Sequence, residues 1–214
     1  MASSTNTDTL NDAIEVNTAD IDVSIAKFQK RNRLVDRITA GAIIFARHEN
    51  GELYTWMIQR EDQDSSHGLS WEWMSGKPEK VDGTSTDTAR RECEEEGKYR
   101  PSKFADRAVL CFFLHKDRRT DRVIMMASLT FIIVDDHQKL PTRVWSDTKK
   151  GPDGAPSLQI SAEHINDCWM TETQIEEAAI HDQCSDPRNE FNMLQTKINV
   201  SKVGFKIFKD YQAQ

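Results

Sequence analysis

Five charged residues are crowded into Arg91-Glu92-Cys93-Glu94-Glu95-Glu96, a density that could do chemistry. If this run is helical, Glu92, Glu95 and Glu96 stand at i, i+3 and i+4 and share one face, while Glu94 points elsewhere. Three like charges on one face repel, so alone they weaken the helix slightly. A divalent cation reverses that sign: Mg²⁺ takes oxygen ligands in near-octahedral geometry, commonly a few carboxylates with water and substrate phosphate. Judged on the carboxylates alone, a solvated charge run is the stronger reading, because Glu is almost never buried unpaired.

The helix that must carry these residues has readable limits. Thr84 or Ser85 can cap its N-terminus, and Asp87 suits the positive end of the macrodipole. Gly97 is expected to end it, since Gly readily takes the left-handed C-cap conformation. Ala89 and Cys93 are small and four apart, which lets one side of the helix lie close against a sheet. Ahead of the helix, Trp71 to Gly83 contains Gly76, Pro78 and Gly83, a loop composition.

With these flanks the stretch resembles the signature of the Nudix hydrolase family. Gly76, Lys77 and Glu79, following Trp73, look like the family's Gly-Lys-x-Glu opening. Arg91-Glu92 and Glu95-Glu96 match its Arg-Glu-x-x-Glu-Glu core, with Cys93 at the apolar position. Several pieces in the right order outweigh any one short motif and reverse the odds on the charge run. The resemblance extends through most of residues 38 to 180. The departures are specific. The interval from Gly76 to Arg91 is one residue longer than the family's, and the loop acid falls on Asp82 in place of the usual Glu. Lys98 stands where the family has Gly, and Met74-Ser75 replace Pro-Gly. None removes a core carboxylate.

The resemblance implies an α/β/α sandwich with a mixed sheet, and hydrolysis of a pyrophosphate bond in a nucleoside diphosphate-linked or related diphosphate substrate. Phosphate oxygens repel an incoming nucleophile, so such a site needs positive charge and a readily ionised water, both supplied by divalent metal. It implies Glu92, Glu95 and Glu96 as holders of Mg²⁺, with Mn²⁺ as the alternative. It also implies one of these three, Glu92 foremost, or Glu163 as proton acceptor, and a backbone carbonyl near Ser75 or Gly76 completing the metal shell. Arg91, four residues before Glu95, is expected to orient that carboxylate. Trp73, Gly76 and Lys77 are the candidate substrate-binding residues. Trp73 is weighed against a core role, which is commoner for Trp, and Lys77 against a solvated one. Cys93 reads as a small hydrophobe, not a nucleophile. The alternatives are a ligand-binding or regulatory protein of the same fold without turnover, and a prenyl diphosphate hydrolase.

Composition agrees with this class. The 214 residues have room for a real core, and residues 21–214 are read as one domain, after a polar segment over 1–20 expected to be mobile. Lys and Arg number 28 against 35 Asp and Glu, a formal net charge of −7. Gripping a nucleic-acid backbone needs the opposite field. The four cysteines show no paired spacing, no secretory segment precedes the body, and no apolar run reaches membrane-spanning length. The expectation is a cytoplasmic protein taking a small-molecule diphosphate, alone or as a homodimer.

Around the motif, residues 40–46 and 52–60 read as strands joined by a turn at His48-Glu49-Asn50-Gly51, and Asn-Gly is a hairpin signal. Residues 108–115 and 123–134 read as two further strands. Residues 138–157 lack periodicity and contain three prolines and two glycines, a long loop. Residues 164–170 read as a last short strand, and Thr171 to Gln174 has the form of a capping box opening a helix to about His181. Asp186-Pro187 would start another, carrying Phe191 and Leu194. Ile21 to Val35 could be strand or helix. Val203, Phe205 and Ile207 alternate with period two, leaving the tail equally open.

Overall fold

The computed structural model of the chain describes residues 12–47, 51–60, 70–117, 120–134, 164–181 and 195–213. The 138–157 loop, Glu163 and the helix expected from Asp186-Pro187, with Phe191 and Leu194, lie outside these residues. No described helix is long and apolar enough to cross a membrane.

The long strand β2 (Arg37–Arg47) is the axis of a mixed sheet. Its first part pairs in parallel with β7 (Arg122–Ile133), from Arg37 opposite Met126 to Ile44 opposite Ile133. Its last residues, Phe45 to Arg47, pair antiparallel with β3 (Leu53–Arg60), as the Asn-Gly hairpin signal requires. On the far side of β7 lies β6 (Phe104–Asp117), antiparallel to it. Outside β3, β4 (Trp71–Glu72) and β8 (His164–Thr171) each pair antiparallel with it.

Alternation along β2 shows why helices cover both faces. Ala40, Ala42 and Ile44 enter one core cluster, and Ile43 and Phe45 enter the other, as a period of two demands. The first cluster contains Ala89 and Cys93 of α3 (Ser85–Gly97), with Ile21 of α1 (Thr18–Ile21) and Phe28 of α2 (Ile25–Arg31). The second contains Ile175 of α4 (Glu172–His181) and Ile198, Phe205 and Phe208 of α5 (Gln195–Gln212). A mixed sheet between two helical layers is the expected α/β/α sandwich.

Three details differ from the sequence reading, and a fourth, the tail, settles a choice that it left open. Residues 13–17 are not a free polar tail: Ala13–Asn17 form β1, an edge strand from Ala13 opposite Cys111 to Asn17 opposite Arg107 on β6. Residues 1–11 lie outside the described part. The stretch before α3 is not all loop either, since Met74–Gly76 form β5 on β2. The tail resolves as helix, because Phe205 and Phe208 at i and i+3 both pack on Phe45, at ring-centroid distances of 4.8 and 5.3 Å. Lastly, Gly97 is the last residue of α3 and Lys98 takes the left-handed conformation, with φ 49°. Gly97 is needed for space, since a Cβ there would lie 2.6 Å from Met74 Sδ and 3.4 Å from the Trp56 ring. Forcing Lys98 into the left-handed region costs about 1 kcal/mol.

Strand β5 positions the site, and Gly41 admits it. A Cβ on Gly41 would overlap the carbonyl oxygen of Met74, a backbone atom that cannot step aside. Gly41→Ala is therefore expected to push β5 off β2 and destabilise the protein by about 1–3 kcal/mol, read from urea unfolding.

Candidate active site

Helix α3 opens on Thr84, whose backbone N–H donates to Asp87 Oδ2 at 3.0 Å. Asp22 fastens the same turn to the body by accepting from the Thr86 hydroxyl at 2.8 Å and from its N–H at 3.3 Å. The next turns carry the candidate residues. Glu92 and Glu96 are buried, at 7 % and 8 % exposure, whereas the Glu95 side chain is 56 % exposed. The shared face thus turns from the core edge at Glu92 and Glu96 toward solvent at Glu95.

Both buried carboxylates rest on β5. Ser75 N–H donates to Glu96 Oε2 at 2.8 Å. The Glu92 carboxylate lies so close over Gly76 that any Cβ there would overlap it. Only glycine allows that approach, the physical reason for the motif's first residue.

Arg91 fastens the preceding loop to the helix. Its Nη2 donates to the Lys77 carbonyl at 2.8 Å and to Asp82 Oδ2 at 3.1 Å. Its Nη1 reaches Glu92 at 2.8 Å and Glu95 at 2.9 Å. Burial would push the Asp82 carboxyl up, but hydrogen bonds from Arg91, from the Glu79 N–H and from the Thr88 hydroxyl hold it below its ordinary value. The Glu92 carboxyl moves the other way, because burial outweighs the Arg91 pair. The Glu96 carboxyl is pushed up to about 8, by burial and then by the nearby charges of Glu72 and Glu92.

A second cluster faces the first and was not legible in the sequence. Glu72, 5 % exposed between Trp71 and Trp73, accepts from the Lys197 ammonium. Arg60 Nη1 lies 3.2 Å from Glu72 Oε1, and His164 Nε2 lies 3.4 Å away. Burial opposes the charge on Glu72, yet Lys197, His164 and Arg60 together hold its carboxyl down at about 2. His164 Nε2 is also 4.0 Å from Glu96 Oε1, so the two clusters adjoin. The signal for Glu72 was a carboxylate between two tryptophans. Its partners His164 and Lys197, more than ninety residues away along the chain, gave none, and neither did Arg60 on the neighbouring strand.

Both clusters line one cleft of roughly 820 Å³, with Trp73, Gly76, Lys77, Arg91, Glu92, Glu95 and Glu96 all on its walls. Phe113, Leu114 and Met126 of β6 and β7 add an apolar side. Trp73 is only 3 % exposed, so it contributes wall more than free ring face. Of the candidate residues, only Glu163 lies outside the described part.

Among the described residues, no group of three or more His, Cys, Asp or Glu side chains converges as a ready metal cage. Glu92 and Glu95 are turned to Arg91, and Glu96 to Ser75 N–H. The donor set nonetheless fits a hard divalent cation. Its ligand atoms are carboxylate oxygens, and burial with mutual repulsion at Glu92 and Glu96 is the strain that positive charge would relieve.

Comparison with known proteins gives the lineage. The sequence profile of the NUDIX domain matches residues 36–187. No curated protein sequence matches significantly. Among solved structures, the chain is similar to the NUDIX domain of Shewanella oneidensis NrtR in complex with ADP ribose. That likeness has 13 % identity and a TM-score of 0.48, covering 72 % of this chain and 88 % of that one. It is similar to a C. elegans Ap4A hydrolase in a binary complex, with 14 % identity, 83 % and 98 % coverage, and a TM-score of 0.45. It is similar also to the MutT protein of Methanosarcina mazei Go1, with 17 % identity, 83 % and 96 % coverage, and a TM-score of 0.45. With the domain profile matched over well more than half of its length, the chain belongs to the NUDIX domain family.

Proposed function

We propose that this chain, a Nudix pyrophosphohydrolase, cleaves a nucleoside diphosphate-linked or related small diphosphate, with Mg²⁺ or Mn²⁺ held by Glu92, Glu95 and Glu96. The carrying observation is that Glu92 and Glu96, each under a tenth exposed, border the same cleft as Glu95. When bound, a divalent cation supplies positive charge against the phosphate oxygens and makes water easier to ionise near neutral pH.

The chain's own residues do the rest. Arg91 fixes the 77–82 loop against α3 and orients Glu92 and Glu95, so that the carboxylates meet substrate pre-arranged. One of Glu92, Glu95 and Glu96, with Glu92 the first candidate, or else Glu163, accepts the proton of the attacking water. Gly76 gives the phosphates close access to backbone, Lys77 offers an ammonium at the cleft rim, and Trp73 shapes the wall. The setting is cytoplasmic.

A hydrolysis screen tests this reading. Nucleotide sugars, dinucleoside polyphosphates, nucleoside triphosphates and prenyl diphosphates are offered with Mg²⁺ or Mn²⁺, then with excess chelator. Turnover of at least one nucleoside diphosphate-linked compound, abolished by chelation and restored by metal, is expected. Turnover confined to prenyl diphosphates would replace the substrate class. Tight binding without any turnover would make the chain a ligand-binding member of the family.

A further inference from the structure

The Glu72 cluster borders the cleft, and the chemistry above does not use it. Lys197, in the first turn of α5, has a side chain only 15 % exposed, yet it lines the cleft together with Glu92 and Glu96. Its ammonium sits on Glu72 and 5.8 Å from the centre of the Trp73 ring, which restricts where it can swing. An ammonium carries three N–H donors, and among the described residues Glu72 is its one hydrogen-bond partner.

We infer that Lys197 is a substrate-binding residue, held ready by Glu72 and passed to an oxygen of the substrate's diphosphate when that enters the cleft. The inference rests on the reading of this cleft as a diphosphate site.

Two features carry it. Five carboxylates, Glu72, Glu79, Glu92, Glu95 and Glu96, line the walls beside Arg37, Arg60, Lys77, Arg91 and Lys197. Since Arg91 is taken up by Asp82, Glu92 and Glu95, an entering polyanion needs a cation that can change partner. Moreover, Glu72 does not depend on Lys197 alone. With Arg60 at 3.2 Å and His164 Nε2 at 3.4 Å, its buried carboxylate stays satisfied when the ammonium leaves. A lysine whose sole role was to neutralise Glu72 would have no need to line the cleft beside Glu92 and Glu96. Lysine is suited to such a transfer, being a point charge on a flexible stem with rotatable donors.

The test is calorimetric titration of the full chain with methylenediphosphonate, a non-hydrolysable diphosphate, in the presence of Mg²⁺. Lys197→Met is expected to weaken binding about tenfold or more, and Lys197→Arg, which keeps the charge, to stay within a few-fold of wild type. On a hydrolysed substrate the Met variant should raise KM by a similar factor with kcat changed only a few-fold. Should Lys197→Met fail to fold, Lys197→Gln replaces it with the same expectation. Equal affinity in the Met (or Gln) variant and wild type would overturn the inference, and so would absence of binding by wild type. The expected binding pattern without turnover of any screened compound would sink the hydrolase reading and leave Lys197 as an anion ligand. Turnover with unaltered affinity in the variant would sink the lysine's role alone.

Discussion

Glu92→Gln is expected to lower kcat by on the order of 10²-fold or more while the protein stays folded. The substitution keeps volume and shape, so the close contact over Gly76 survives, but it removes the negative charge. Both duties proposed for Glu92 need that charge, since holding a cation and accepting a proton each require a carboxylate. A group that acts on the nucleophile contributes more in the transition state than in substrate binding, so its loss falls on the rate constant. Folding should be spared, because burial outweighs the Arg91 pair at Glu92, and Arg91 keeps Asp82, Glu95 and the Lys77 carbonyl as partners when Glu92 becomes an amide. Steady-state kinetics with a circular-dichroism control reads the result. A folded variant with kcat within a few-fold of wild type would make Glu92 a helix residue without chemistry.

Arg91→Met should act mainly on stability, and through it on the site. Met fills the space of the stem but leaves Asp82, whose side chain is 4 % exposed, and Glu92, at 9 %, without their shared cation. Breaking a buried pair from one side costs roughly 3–5 kcal/mol, because the remaining charge has been stripped of water and of its partner. The Lys77 carbonyl loses its donor as well, so among the described residues the Thr88 hydroxyl on Asp82 is left as the side-chain hydrogen bond between the 77–82 loop and the helix. A fall of about 3 kcal/mol in urea-unfolding free energy is expected, with a higher divalent-cation requirement for turnover. A loss under about 1 kcal/mol would show that the loop is held by its own backbone.

What the sequence made legible was local. The span of α3, the small buried pair Ala89 and Cys93, and the β2–β3 hairpin all follow from patterns within a few residues. The Thr171 to Gln174 capping box also forms, with Thr171 N–H on Gln174 Oε1 at 2.8 Å and Gln174 N–H on Thr171 Oγ1 at 3.2 Å. What escaped was set by tertiary contact. Ala13, Ile14 and Val16 of β1 are a short apolar set inside a polar N-terminal stretch, and they order because β6 offers them a free edge. Lys98 takes the left-handed cap, where Gly would be favoured, because Gly97 is the residue wedged against Met74 and Trp56. The tail's period-two run is also compatible with helical i, i+3 spacing, and Phe45 decides between them. Within the site, spacing put Glu92, Glu95 and Glu96 on one helical face, but only the resemblance of the whole Gly76 to Glu96 stretch made them candidates. The Glu72, His164 and Lys197 cluster joins β4, β8 and α5, and no short-range pattern encodes a contact of that kind.

The central claim is that the α3 carboxylates hold the divalent cation. Mn²⁺ titration followed by paramagnetic resonance tests it most directly, since free and protein-bound ion give distinct signals. Wild-type protein should take up Mn²⁺ in competition with Mg²⁺. The folded variant carrying Glu92→Gln, Glu95→Gln and Glu96→Gln should leave the ion free at the same concentrations. Equal uptake by the two proteins would contradict the account and place the metal elsewhere in the chain.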